Sequence, residues 1–414
     1  MIDGGGRLAD EAAAAAARRS YGRLIAYLSA RTRDVAGAED ALSEAFAAAL
    51  VDWPVNGVPR SPEAWLLAAA RRKAIDAARR RQTAVDASDH VRLLAEEAAA
   101  LAAEPSPFPD ERLALMFACA HPAIEPAIRA PLILQTILGF DAATVASAFL
   151  IAPATMGQRL SRAKAKIRVA GVPFRKPGHD EMAGRLDAVL EAIYAAFAEG
   201  WSDPSGAEPL RRNLAEEAIF LARLVVELLP GEPEALGLLA LMLYSESRRA
   251  ARRDDKGEFA PLAEQDPRRW DDRMIMEAEA LLGRASALDA IGRYQLEAAL
   301  QSAQVARRLG RGVDWPAIVA LYDGLCALTG SPVAAINRAV ALAETHGPAE
   351  GFAALQAVAD DPRLAQYQPY WAARADLLAR LGRRVEAEAA YDQAIGLETD
   401  PAVRRFLQQR RASL

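Results

Sequence analysis

Thr155, Gln158, Arg159, Arg162 and Lys166 recur every three or four positions, a spacing that gathers them on one face of an α-helix. Met156, Leu160, Ala163 and Ile167 form an apolar stripe on the same segment, roughly a third of a turn away at about 100° per residue. Arg and Gln side chains can grip guanine and adenine edges through paired hydrogen bonds, and Thr can reach either. Lys164, Lys166 and Arg168 suit phosphate oxygens. The chemistry open to this row is base-edge recognition in a DNA groove. An ordinary helical hairpin with a solvated basic face would show the same stripe. The rest of the chain has to separate the two.

A second constellation lies upstream. Trp65, Arg72, Lys73, Asp76, Arg79 and Arg80 share one side of a segment whose other side carries Leu67, Ala70, Ala74 and Ala78. An aromatic at the head of a basic face can stack on an unpaired base while Arg and Lys hold phosphates. A core Trp beside a solvated charge run is the plainer explanation of the same pattern. Covalent chemistry finds little support. The histidines, His90, His121, His179 and His346, are scattered, and no HExxH, GxSxG or GxxxxGK[ST] motif occurs. No catalytic residue, metal ligand or cofactor is expected.

The elements that must position the first row read as three short helices. The first covers residues 130–138 and is stopped by Gly139. Asp141 sits where an N-cap belongs, ahead of 142–149. A tight Leu150-Ile151-Ala152 joint follows, and Pro153 takes the first turn of the longer last helix. Two helices at a steep angle, the second exposing Thr, Gln and Arg, form the helix-turn-helix that enters a major groove. The basic-aromatic segment is a helix over residues 62–81, with Ser61 as N-cap and Pro62 at its first position. Before it, residues 7–50 carry two helices. The first includes Tyr21, Leu24, Ile25 and Leu28; the second opens after Gly37 with Glu39 and Asp40 in its first turn, and a Pro/Gly-rich turn begins at Trp53.

Residues 83–109 read as a linker that holds an Ala/Glu-rich helix over 91–103 and ends in Pro105-Ser106-Pro107-Phe108-Pro109. Residues 110–173 carry the helix-turn-helix, and a boundary is expected near 174–181. Residues 182–414 form a series of helix pairs. The clearest, from Ala375, places Leu378, Leu381, Gly382, Ala387, Tyr391, Ala394, Ile395 and Pro401 at tetratricopeptide-like spacings. Pro316–Glu344 makes another pair, with Ser331 as cap and Pro332 at the first helical position. Arg248–Trp270 resists this pattern: its charge, central Gly and two prolines predict an exposed loop, with a lid or binding loop as the sharper alternative.

Composition bounds the rest. A chain of 414 residues allows two or three domains, and its abundant Ala with apolar residues at three- and four-residue spacing makes it all-α. The net charge of −5 excludes a uniformly basic nucleic-acid coat. Basic islands remain at 60–81 and, with no acid among them, at 159–176. Cys119 and Cys326 are isolated in apolar sequence, which excludes a disulfide framework. The N-terminus lacks a signal-peptide pattern, and no apolar run approaches the ~18 residues a membrane helix needs. A cytoplasmic protein with no membrane partner is expected.

Taken together, the segments resemble the extracytoplasmic-function sigma factors of the sigma-70 family, in the subgroup with a large fused C-terminal helical domain. GAEDALSEAF (Gly37–Phe46) is similar to the family's core-polymerase-binding helix, PRSPEAWLLAAARRKAIDAARRR (Pro59–Arg81) to its promoter-melting and minus-10 helix, and AFLIAPATMGQRLSRAKAKIR (Ala148–Arg168) to its minus-35 helix-turn-helix. YAAFAEGWS, IGRYQLEAA, DWPAIVALYD and SPVAAINRAVALAE resemble segments of the fused extension. The resemblance spans almost the whole chain and implies region 2 over 7–82, region 4 over 110–173 and a TPR-like domain over 182–414. It implies that Asp40, Leu42, Glu44 and Phe46 engage core RNA polymerase. Trp65, Arg72, Lys73, Arg79 and Arg80 would meet the minus-10 element, and Thr155, Gln158, Arg159, Arg162 and Lys166 the minus-35 element of promoter DNA. The chain departs from the family at Ser43, where the polymerase-binding helix usually has Gln, and at Leu150, where the turn usually has Gly; Ala152 is a poor N-cap, and Trp65 stands where relatives have several aromatics. The expected role of the C-terminal array is to modulate the sigma domains, by contacting them or by binding a protein partner or ligand. The alternative is a TPR-containing helix-turn-helix regulator that binds operators without joining the polymerase.

Overall fold

The computed structural model describes residues 12, 13, 16, 20–22, 24, 25, 27–29, 35–82, 108, 110–170, 177–201, 209–310 and 312–414. Among them the fold is all-α, and its sole β feature is an isolated antiparallel bridge between Arg253 and Phe259. The expected helix over 91–103 and most of the 83–109 linker lie outside the described residues. The chain divides into two compact units, residues 1–196 and 197–414.

In the first unit, helix α1 (Val35–Asn56) packs along α2 (Pro62–Gln82). Ala38, Ala41, Leu42, Ala45, Ala49 and Trp53 are the buried face of α1, and Leu66 and Ala70 that of α2. Small side chains at helical spacing let the two backbones approach, and Trp53 closes the far end. Its ring meets Trp65 edge-on, with centroids 5.6 Å apart at 71°.

Helix α1 is longer at both ends than the sequence suggests. It starts at Val35, so Glu39 and Asp40 lie in the second turn and no acid occupies the first. It continues past Trp53 and takes Pro54 inside its last turn. Pro54 lacks an N–H for the Leu50 carbonyl, but both residues are exposed and water can serve that oxygen. The turn begins only at Gly57, whose φ of 85° stops the helix while its N–H bonds the Trp53 carbonyl at 2.9 Å.

Helices α3 (Glu111–Cys119), α4 (Pro126–Thr136), α5 (Ala142–Ala148) and α6 (Pro153–Ala170) follow. Asp110 caps α3, accepting from the Arg112 N–H at 2.7 Å. Helix α4 starts four residues before the expected 130, because Arg129 ties down the preceding turn by donating to the carbonyls of Ile124 and Pro122. Its end is a left-handed Gly139 (φ 73°), with the Phe140 N–H returning to the Leu134 carbonyl at 3.1 Å. Helix α7 (His179–Trp201) begins inside the first unit. The compact division therefore falls at residue 196, beyond the boundary expected near 174–181. Arg185 explains the shift: it is buried and donates to the Phe117 carbonyl at 3.2 Å and to Glu181 at 3.2 Å.

The second unit comprises α8 (Pro209–Leu228), α9 (Pro233–Ser247), α10 (Asp272–Ser286), α11 (Arg293–Val305), α12 (Trp315–Thr329), α13 (Pro332–His346), α14 (Pro348–Gln356), α15 (Gln368–Arg380), α16 (Arg384–Leu397) and α17 (Pro401–Ala412). Consecutive helices pack as neighbours from α10 onward. Helix α9 is buried from Ala235 to Ser245, as a central helix apolar all round should be. Gly237 lets it touch α11: a Cβ there would lie 2.7 Å from the Gln295 nitrogen. Glu234 caps α11 from α9, accepting from the N–H groups of Tyr294 and Gln295 at 2.9 and 3.2 Å. Ser331 caps α13 and Pro332 follows at its first position. Leu378, Ala387, Tyr391 and Ala394 enter the terminal core, and Gly382 turns α15 into α16 at φ 73°.

Arg248–Trp270 is not a plain exposed loop. It holds short 3₁₀ turns and a tight hairpin in which Asp254 accepts from the N–H groups of Lys256 and Glu258. Arg248, Ala251, Gln265 and Trp270 are buried.

Candidate nucleic-acid and polymerase interface

Helix α6 turns its two stripes in opposite senses. Met156 and Leu160 are buried with Val145 and Ala146 of α5, whereas Thr155, Gln158, Arg159, Arg162 and Lys166 are all exposed. The predicted base-reading row is thus one solvent-facing surface on α6, which follows α5 after a short turn. Its entry is local. Asp141 caps α5 by accepting from the Thr144 N–H at 2.7 Å, and that hydrogen bond holds the Asp141 carboxyl below the usual carboxylate range. At Asp110, burial pushes the carboxyl up, but hydrogen bonds and charge from Arg112 outweigh it and the net shift is downward. A depressed folded-state pKa means stability that is present above the unfolded value and lost as pH falls through the folded one. The α3–α6 region should therefore lose stability below about pH 4, where unfolded Asp titrates. An acid titration followed by circular dichroism checks this.

The turn between α5 and α6 carries strain. Leu150 adopts φ 52°, a left-handed conformation that costs a non-Gly residue about 1–2 kcal/mol. Its N–H bonds the Ser147 carbonyl at 3.2 Å, and that of Ile151 bonds Ala146 at 2.9 Å, so the turn is set by the backbone. Leu150→Gly is expected to stabilise the protein by about 0.5–1 kcal/mol, since the entropy cost of Gly offsets part of the relief. Thermal unfolding of the two proteins measures it.

Lys164 departs from its phosphate-binding expectation. Its ammonium lies 2.8 and 2.9 Å from the two carboxylate oxygens of Glu39 on α1. Both side chains are about one-fifth exposed, at 23% and 19%. The same junction is close elsewhere: Gly22 lies against the Ile137 carbonyl, where a Cβ would come within 2.3 Å of the oxygen, and the Tyr21 ring covers Gly139. Burial, with Glu39 nearby, pushes the Tyr21 hydroxyl pKa well up and the Cys119 thiol to about 12. That thiol is buried and inert as a nucleophile.

On α1, Asp40 and Glu44 face solvent, while Leu42 is fully buried and Phe46 is half-buried against Tyr21, ring centroids 6.4 Å apart. Leu42 and Phe46 thus anchor the helix, and the two acids lie on its solvent side. Sequence reasoning missed an apolar surface further along. Val51 and Val55 are 74% and 80% exposed and lie one turn apart on α1. Their i, i+4 spacing was the available signal.

On α2, Arg72 and Lys73 are exposed. Lys73 pairs with Glu44 at 3.1 Å, but both side chains are about half exposed and the pair is worth at most about 1 kcal/mol. It can open for a phosphate. Trp65 is half-buried on Trp53 rather than free. Arg79 and Arg80 belong to α2, with side chains outside the described residues.

No helix among the described residues is long and apolar enough to cross a membrane. Comparison with known proteins adds the family. Residues 16–84, which contain α1 and α2, match the model of sigma-70 region 2. Residues 185–286 match a family of unknown function. The chain is 37% identical over 402 residues to Uncharacterized protein R00370 of Rhizobium meliloti (strain 1021), covering 96% of this chain and 94% of that one. No solved structure matches. The paired α1 and α2 with their solvent-facing acids and bases are thus a sigma-70 region 2, and the chain is a sigma-70 family member that belongs to one family with the Rhizobium meliloti protein.

Proposed function

We propose that this protein is an initiation factor of the extracytoplasmic-function type, a DNA- and polymerase-binding protein with no catalytic step of its own. It joins core RNA polymerase through Asp40 and Glu44, with the Val51–Val55 stripe as the apolar part of the same contact. It reads a minus-10 element with the α2 face and a minus-35 element with Thr155, Gln158, Arg159, Arg162 and Lys166. The observation that carries this reading is a match to sigma-70 region 2 at residues 16–84 in one chain with an exposed Thr/Gln/Arg/Lys row on α6. Two small readers linked in one chain reach useful specificity only together, because the second contact is made at high effective concentration. The TPR-like second unit modulates this activity.

Size-exclusion chromatography with core polymerase tests the first step. The full chain should co-elute with core, and Asp40→Lys with Glu44→Lys should abolish co-elution by placing like charge where opposite charge is needed. Failure of the unmodified chain to associate with core polymerase, together with tight binding to DNA on its own, would replace this reading with that of an operator-binding regulator.

A further inference from the structure

Inside the first unit, α1 and α2 meet the helices α3–α6 at a junction that is charged. Residues 20–22 belong to the α1–α2 side: Ser20 donates to Glu63 of α2 at 2.9 Å, and the Tyr21 ring stacks on Phe46 of α1. Across the junction Gly22 lies on the Ile137 carbonyl and Tyr21 covers Gly139. The polar part is Lys164 of α6, which donates to both carboxylate oxygens of Glu39 on α1. Part burial of both side chains limits the screening of this pair by salt. Lys164 stands nine positions after Thr155, about half a revolution at about 100° per residue. The pair therefore leaves the exposed row of Thr155, Gln158, Arg159, Arg162 and Lys166 uncovered.

Distance decides what the closed junction permits. While it holds, α2 and α6 belong to one compact unit, residues 1–196. A unit of that length has a radius of gyration of about 16 Å and is roughly 40 Å across. Minus-10 and minus-35 elements lie about 25 base pairs apart, roughly 85 Å at about 3.4 Å per base pair. The closed chain can hold one element and not both. Residues 83–109, when extended, reach about 90 Å, so breaking the junction is enough to span them.

We propose that the Glu39–Lys164 pair is a latch that keeps the free protein closed and that joining core polymerase releases it. This rests on the polymerase- and promoter-binding reading of α1, α2 and α6. Glu39 adjoins Asp40, so a basic polymerase surface that takes Asp40 and Glu44 also competes with Lys164 for Glu39. Promoter spanning is thereby confined to the polymerase-bound protein.

Energy transfer between dyes on Asn56→Cys and Ala165→Cys tests the latch, in the full chain carrying Cys326→Ser. Both positions are exposed, and Cys119 is buried. The free protein should show high transfer, since Asn56 lies about 25 Å along α1 from Glu39. Core polymerase should replace it with a low-transfer state. Lys164→Glu should shift the free protein toward that state by at least about tenfold. Lys164→Met, which keeps the apolar stem, should do the same with an unchanged circular dichroism spectrum. Glu39→Lys combined with Lys164→Glu should restore high transfer. Rising salt should open the unmodified chain and move the Lys164→Met protein less. High transfer retained in a polymerase complex that makes transcripts overturns the proposal. So does a Lys164→Glu or Lys164→Met protein as closed as the unmodified chain. A chain that never joins core polymerase sinks the reading above instead, while the free-protein measurements still decide whether the pair holds the junction shut.

Discussion

Replacing Arg159 and Arg162 together by Ala is expected to reduce promoter-directed transcription by about one and a half orders of magnitude or more. Each bidentate base contact discriminates by about 1–3 kcal/mol, and two lost together correspond to roughly 2–6 kcal/mol when the positions act independently. Neither side chain contributes to the core, since both are exposed while Met156 and Leu160 hold the helix in place. The melting temperature should therefore stay within a degree or two. Lys166→Ala is the contrasting control. A phosphate contact carries no sequence information, so its loss should weaken binding to all promoters alike and flatten the salt dependence. Transcription from a strong and a weak promoter, measured at two salt concentrations, separates these outcomes.

The second large effect is structural. Trp53→Ala should destabilise the first unit by about 3–5 kcal/mol, the usual cost of truncating a buried aromatic. Trp53 is 1% exposed and seals the α1–α2 interface against Trp65. Its Nε1 has no hydrogen-bond partner, so the loss is packing and ring contact alone. Trp53→Phe should accordingly recover most of the stability. Against a typical total of about 5–15 kcal/mol, the Ala variant approaches the unfolding threshold. Urea unfolding followed by circular dichroism gives the size. The same change should also release Trp65, raising the solvent exposure of its fluorescence.

What the sequence revealed and what it hid divide by the range of the interaction. Asp141 and Ser331 were legible as caps because each satisfies an N–H three residues away. The exposed row and buried stripe of α6 were legible for the same reason, being set by helical period alone. The length of α1 was not. Pro54 reads as a helix stop, yet Trp53 finds its pocket only if the helix continues under it. Leu42 and Phe46 matched a partner-binding motif, but their burial depends on Tyr21 and the α1 packing face. Glu39 and Lys164 meet across 125 positions of sequence, and no local pattern announces such a pair. The Arg248–Trp270 hairpin reads as a charged loop until Asp400 and Trp201 are brought to it.

On the proposed function, one chain both joins polymerase and chooses the promoter. Run-off transcription with purified core polymerase, this protein and a pool of genomic promoter fragments measures that directly. The expected result is transcripts that depend on the protein, start downstream of a shared two-part upstream motif, and vanish with Arg159→Ala and Arg162→Ala. Transcripts that are absent, or that appear equally from core polymerase alone, would contradict it.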